Sequence, residues 1–136
     1  MIVVLDCSFC AALFLPHKKS AAVKDLFGKI ADEEVMVPVQ FWEEMTELLL
    51  AALGRGRFRH ADVLEINRLL TMYHLGTDVS FSGDYTERIL DLAGLYRISA
   101  VETAYLELAV RKKAALGTLS GALSAACEKA GIETLL

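Results

Sequence analysis

Short apolar runs alternate with longer amphipathic segments along the chain. The runs at 2–5 (IVVL) and 35–38 (VMVP) show no polar alternation, which is typical of strands buried on both faces of a parallel sheet. Between them, apolar residues recur at helical spacing at Val23, Leu26, Phe27 and Ile30. This alternation predicts an α/β fold, a three-layer α/β/α sandwich around a central, mainly parallel sheet.

Glycines, prolines and capping residues set the expected ends of the other elements. Ser8 is expected to cap a helix that Pro16 ends, and Ser20 to cap the next one. Further helices are expected at about 40–53, 60–73, 83–96, after Ser99, and at 121–130. Further strands are expected at 77–81 (TDVSF), around Gly117, and at 132–136 (IETLL).

Composition is that of one globular domain spanning residues 1–136. Apolar residues make up 54% and charged residues 24% of the chain, enough to build a core without disulfides. No apolar run approaches the roughly 20 residues that cross a bilayer, and no basic segment precedes the first strand. We therefore expect no membrane contact and a cytoplasmic location. An odd number of cysteines, three, fits a reducing compartment.

The charge balance argues against a protein that binds nucleic acid over a whole face. The net charge is −4, whereas such proteins are more often basic. The densest basic run, with Arg55, Arg57 and Arg59, is either a solvated turn between helices or a local contact to RNA phosphates. Glu107 and Glu128 are expected to be exposed helix charges, and Arg111 to stabilise the end of its helix.

Polar residues follow several of the expected strands, where parallel sheets carry their active crevice. Asp6 ends the first strand, Glu44 lies in the helix after the second, Glu102 begins a later helix, and Thr118 and Ser120 follow the strand around Gly117. Clustered carboxylates repel one another unless a cation binds them. Oxygen ligands of this kind suit Mg²⁺ or Mn²⁺. The structural alternative for Asp6 is a helix N-cap or a loop acid.

Cys7 and Cys10 form a C-x-x-C pair beside Asp6. A redox pair at a helix start needs a lowered thiol pKa, but an adjacent carboxylate raises it. Free cysteine is also a common buried small residue. A structural role is therefore favoured over a thiol oxidoreductase, which stays as an alternative.

Four stretches together resemble the PIN domain, close to the VapC-type toxin ribonucleases, over essentially the whole chain. In that family an opening strand ends in an acid, followed by a small residue and a serine, as at Ser8. The other family features are an acid followed three residues later by Asn, a Ser-Ala-x-Asp pattern leading to a Tyr, and a Thr-x-Asp pattern. The stretches that resemble these four blocks are VVLDCS, VPVQFWEEMTELL, ISAVETAYLELA and LGTLSGAL.

The resemblance assigns site residues one position at a time. Asp6 and Glu44 match the first two acids, and Glu102 stands where the third is usually Asp. Ser120 stands where the fourth acid is usually Asp, and Glu47 where Asn is common. The resemblance to the PIN family implies a ribonuclease that hydrolyses RNA phosphodiesters with Mg²⁺ or Mn²⁺.

In this interpretation Asp6, Glu44 and Glu102 bind the metal, and Thr118 and Ser120 hydrogen-bond a metal-bound water or a carboxylate. Glu47 would supply the carboxylate that Ser120 lacks, since residues three apart share a helix face. Loss of one acid predicts attenuated activity. The alternative is a catalytically inactive PIN-like module that binds RNA or protein.

A partner surface is also expected. The mean hydropathy of +0.41 suggests a covered apolar face. Leu48, Leu49, Leu50 and Leu53 exceed what one buried helix face requires. The expected partner is a second copy, giving a homodimer, or the antitoxin that the family resemblance implies.

Overall fold

A four-stranded parallel sheet forms the centre of the computed structural model, which describes residues 1–79 and 83–136. Its strands lie in the order β3-β2-β1-β4, and every neighbouring pair is parallel. They are β1 (Ile2–Leu5), β2 (Glu34–Pro38), β3 (Gly76–Asp78) and β4 (Ala115–Gly117). The predicted α/β/α sandwich is confirmed.

Seven helices flank the sheet in the described part of the chain. They are α1 (Cys7–Ala11), α2 (Ser20–Lys29), α3 (Gln40–Gly54), α4 (His60–Met72), α5 (Tyr85–Tyr96), α6 (Ala100–Lys112) and α7 (Gly121–Ala130). Most bounds agree with the sequence to within two residues. Among these described residues, no helix is long and apolar enough to cross a membrane.

Two predicted helix starts are wrong. The N-cap of α1 is Asp6 rather than Ser8, and the helix ends at Ala11, well before Pro16. α2 follows Lys19 without a side-chain cap, because the hydroxyl of Ser20 donates instead to the carbonyl of Leu15 at 3.4 Å.

Helix α6 lies at the centre of the packing. Each residue from 103 to 109 is buried, and the helix contacts β1, β2 and β4. The central strand β1 is equally enclosed, since Val3, Val4 and Leu5 have no exposed surface. A helix buried on all sides carries a weak amphipathic pattern, so sequence periodicity indicates its inward face poorly.

The two least regular strands were only partly predicted. The segment 132–136 forms a single parallel bridge, Thr134 to Leu116, rather than a full strand. Strand β3 ends at Asp78, and residues 80 and 81 of the predicted strand lie outside the described residues.

Glu107 is buried, so the prediction of an exposed charge there is wrong. Its side chain is 3% exposed and accepts from Arg111 Nε at 2.8 Å and from Arg88 Nε at 3.1 Å. Arg111 also reaches Asp78 at 2.6 Å, and that carboxylate is 7% exposed. These ion pairs join the end of β3 to α5 and α6. Arg111 therefore connects separate elements, in addition to the predicted interaction with the dipole of its own helix.

Candidate functional site

The candidate site lies where the chain reverses its direction of winding through the sheet. From β1 the chain passes through α1 and α2 to β2, whereas β4 on the other side of β1 is reached last. In open α/β sheets, such a switch point forms a crevice at the carboxyl ends of the strands. Asp6 and Thr118 directly follow β1 and β4 there. The backbone N–H of Asp6 donates to Gly117 O at 3.0 Å, which fixes the two strand ends together.

The carboxylate of Asp6 is buried, and both of its oxygens accept hydrogen bonds. Oδ1 accepts from the backbone N–H of Phe9 at 2.9 Å and from the hydroxyl of Ser8 at 2.7 Å. Oδ2 accepts from the hydroxyl of Thr118. The structural alternative is therefore real: Asp6 is the N-cap of α1. Its place at the strand end allows a second role at the same time.

Two backbone amides set the direction of these hydroxyl donors. Ser8 Oγ accepts from the N–H of Leu119 at 2.8 Å, and Thr118 Oγ1 accepts from the N–H of Ser120 at 3.0 Å. Each hydroxyl has one proton to donate, and here it goes to Asp6. The loop after β4 thus orients both hydroxyls toward the carboxylate.

Glu102 lies in the first turn of α6, which Ser99 caps through a 3.1 Å bond to the Glu102 N–H. Its Oε2 accepts from the hydroxyl of Ser120 at 2.6 Å. Ser120 is itself the N-cap of α7, accepting from the N–H of Leu123 at 3.2 Å. Ser120 therefore holds Glu102 beside the loop that carries Thr118.

Glu44 reaches the site from α3. Its Oε2 accepts from the hydroxyl of Tyr105 at 2.7 Å, and Tyr105 is 2% exposed. Tyr105 follows Glu102 by three residues, so α6 presents both on one face. The sequence did not predict this role for Tyr105, although its spacing from Glu102 was a usable signal.

The three carboxylates affect one another through Asp6. Burial raises the pKa of Asp6, the hydrogen bonds from Thr118, Ser8 and Phe9 oppose this, and the charge of Glu102 adds to the rise. Burial also raises the pKa of Glu44, the Tyr105 hydroxyl opposes it, and the charge of Asp6 adds to it. Acids from three segments thus share one electrostatic environment.

The donor chemistry fits a hard divalent cation, because it consists of carboxylate and hydroxyl oxygens. The present side-chain positions are not a finished ligand set: within 1–79 and 83–136, no three His, Cys, Asp or Glu side chains are grouped to hold a metal ion. One oxygen each of Glu44 and Glu102 is engaged by Tyr105 and Ser120. A shared cation would compete with those hydroxyls.

The other predicted site residues lie around this centre. Glu47 is exposed on α3, one turn beyond Glu44. Arg55, Arg57 and Arg59 are exposed on the turn between α3 and α4. The backbone N–H of Arg59 donates to Asp62 Oδ2 at 2.9 Å at the start of α4, a bond that does not use the arginine side chain. Arg57 lines a groove that reaches Ser8 and Ser120.

The cysteines are buried, and Cys7 Sγ lies 3.8 Å from Met45 Sδ. Burial, then the charges of Glu44 and Asp6, raise the pKa of the Cys7 thiol to about 12. Burial likewise raises the pKa of Cys10. Both thiols are protonated at neutral pH, which favours packing over redox chemistry.

Fold and site together define an open parallel α/β protein with interacting carboxylates at the switch point of its sheet. No protein-family model matches the sequence, and no curated protein matches it. Among solved structures, the chain is similar to the crystal structure of PAE2754 from Pyrobaculum aerophilum, with a TM-score of 0.71 and 15% identity. The match covers 99% of this chain and 84% of that one. At this identity the likeness establishes the fold alone.

Proposed function

We propose that this chain is a divalent-metal-dependent ribonuclease that hydrolyses RNA phosphodiesters. The observation that carries the proposal is the chain of hydrogen bonds at the ends of β1 and β4, which runs from Asp6 through Thr118 and Ser120 to Glu102. Carboxylates with raised pKa at a strand-end crevice are typical of functional sites. The PIN-like sequence blocks supply the RNA part of the proposal.

Asp6, Glu44 and Glu102 would hold the cation. The chemistry that Mg²⁺ or Mn²⁺ would supply is polarisation of a phosphoryl oxygen and ionisation of a water at neutral pH. The water would lose a proton and add to phosphorus, while the bond to the sugar oxygen breaks and that oxygen takes up a proton. Asp6 is buried and accepts from three donors, so its side chain is the most rigid of the three ligands. Glu44 is half-buried, and the Tyr105 hydroxyl is its hydrogen-bond donor.

The hydroxyls around the site position its carboxylates. Hydrogen bonds to an ionised carboxylate favour the charged form, so Ser8 and Thr118 keep Asp6 available as an anion despite its burial. Tyr105 does the same for Glu44. These groups act through the carboxylates and are positioning residues.

A Mn²⁺ titration by calorimetry tests the proposal. We expect the wild-type protein to bind Mn²⁺ in the low-millimolar range or tighter and Asp6→Asn to lose at least about 10-fold in affinity, together with RNA cleavage. Glu43→Gln is the matched control, because Glu43 is an exposed acid on α3 beside Glu44. Absence of Mn²⁺ binding by the wild type, or equal binding by Asp6→Asn, contradicts the proposal.

The biological role that we propose from the same resemblance is that of a toxin restrained by an antitoxin. Leu50 and Leu64, on α3 and α4, are 55% and 59% exposed and offer apolar surface to a partner. Expression of the wild-type chain should arrest growth, and expression of Asp6→Asn at equal level should not. Equal growth in both cases argues against the toxin role.

A second candidate is a catalytically inactive module of the same fold. Its support is Ser120, which occupies the place of a fourth acid and already donates to Glu102, together with the lack of a three-ligand group among the described residues. This candidate predicts RNA binding that is independent of Mn²⁺ and unaffected by Asp6→Asn. The titration above, repeated with RNA present, separates the two.

A further inference from the structure

A groove of about 430 Å³ opens directly beside the candidate site. Ser8 and Ser120, whose hydroxyls donate to Asp6 and Glu102, form its polar wall. Leu15, from the segment after α1, and Leu48, from α3, are among its apolar lining residues. The volume and the mixture of apolar walls with a few polar groups are those of a small-ligand site.

One cationic side chain, Arg57, and the imidazole of His17 line the groove in an otherwise acidic protein. His17 and Arg57 come from different loops, and both are exposed. Each belongs to a short basic run: Lys18 and Lys19 follow His17, while Arg55 and Arg59 flank Arg57. Positive potential beside a negative catalytic site attracts an anion that extends past the carboxylates. A phosphodiester chain has that charge and that reach.

We propose that this groove binds one unpaired RNA nucleotide next to the phosphate at the carboxylates, with Arg57 as its phosphate contact. The inference rests on the proposed function for the identity of that neighbouring phosphate. The apolar faces of a nucleobase match the leucine walls. Its N–H groups can donate to the oxygens of Ser8 and Ser120, whose own protons go to Asp6 and Glu102. Unpaired bases can leave a stack and enter such a groove, whereas bases within an A-form duplex cannot.

Binding of a five-nucleotide unpaired RNA, followed by fluorescence anisotropy in EDTA, tests the groove without catalysis. We expect Arg57→Ala to weaken binding on the order of 10-fold. The slope of log K against log salt should also fall by about 0.7, the value for one lost contact on a single strand. Arg55→Ala is the matched control, because Arg55 lies on the same turn but outside the lining formed by the described residues. It should change the affinity much less.

A second variant separates groove occupancy from charge. Leu48→Trp adds bulk to the groove without removing a cation, so it should weaken RNA binding while leaving Mn²⁺ binding unchanged. A blunt RNA duplex of the same length should bind more weakly than the unpaired strand. Retained binding in Leu48→Trp, or duplex binding as tight as that of the unpaired strand, overturns the inference.

The outcomes distinguish this inference from the proposed function. Two results would show that the groove does not bind a nucleotide: an equal loss of RNA binding in Arg57→Ala and Arg55→Ala, or no RNA binding by the wild type in EDTA. A protein segment would then be the remaining candidate occupant of the groove. RNA cleavage can persist in that case. If binding depends on Arg57 but Mn²⁺ neither binds nor supports cleavage, the groove assignment holds and the nuclease proposal fails.

Discussion

Replacing Arg111 with Met tests whether the buried ion pairs between β3, α5 and α6 hold the fold together. The change keeps the aliphatic contacts of the side chain but removes the bonds to Asp78 at 2.6 Å and to Glu107 at 2.8 Å. Breaking a buried pair typically costs 3–5 kcal/mol, because a charge is left in a poorly solvated place. Arg111 is 26% exposed and Arg88 still reaches Glu107. We therefore expect about 3 kcal/mol.

That loss is a large part of a typical folding free energy of about 5–15 kcal/mol, and it should lower the melting temperature by roughly 10 °C. Urea unfolding followed by circular dichroism measures it. The control is Arg68→Met, which breaks an ion pair of 2.6 Å to Glu65 on the exposed face of α4. Surface pairs contribute little, so its unfolding midpoint should barely change. Equal shifts in the two variants would refute the argument that burial makes the Arg111 pairs important.

Three further changes test the site and its surroundings. Burial raises the pKa of Asp6 above its unfolded value, so wild-type stability should fall as pH rises from the unfolded pKa through the folded one. Asp6→Asn should show a smaller fall, because Glu44, whose pKa burial also raises, still contributes to it; parallel melting-temperature profiles between pH 4 and 8 would count against this. At Gly117 an added Cβ would meet Leu5 Cδ2 at 2.8 Å, so Gly117→Ala should destabilise the protein by about 1–3 kcal/mol in urea; an unchanged midpoint contradicts this. Ser120→Asp supplies the missing acid and can still cap α7, so it should tighten Mn²⁺ binding about 10-fold or more; weaker binding would show that the serine hydroxyl matters more than the charge.

Local signals were enough to predict most of the elements. The uninterrupted apolar run of β1 and the punctuation around α3 and α7 gave bounds close to those observed. The N-caps were harder to predict. Both Asp6 and Ser8 are good N-cap residues, and which of them caps α1 depends on the residue at which β1 ends. The strand order was not predictable from any local pattern, because it depends on contacts between distant segments, among them those of α6 with β1, β2 and β4.

Long-range contacts explain the predictions that failed. Glu107 stands among apolar residues of α6, and its ion pairs with Arg88 and Arg111 make its burial tolerable. The rule that polar residues at the ends of parallel strands lie close together correctly predicted that Thr118 is near Asp6. It gave no information about Tyr105, which reaches Glu44 from the interior of a helix.

Hydroxyl groups that donate to the three acids help the fold to accommodate these acids at one end of the sheet. Each acid has a donor: Thr118 and Ser8 for Asp6, Tyr105 for Glu44, and Ser120 for Glu102. A divalent cation and these donors offset the same repulsion, so stronger donors leave less for the cation to gain on binding. Ser120 affects metal binding in two ways. Its hydroxyl donates to Glu102, and it occupies the position where the PIN resemblance predicts a fourth acid, which would add negative charge. Under the proposed function, we therefore expect metal affinity to depend on the hydroxyls beside the carboxylates as well as on the number of carboxylates.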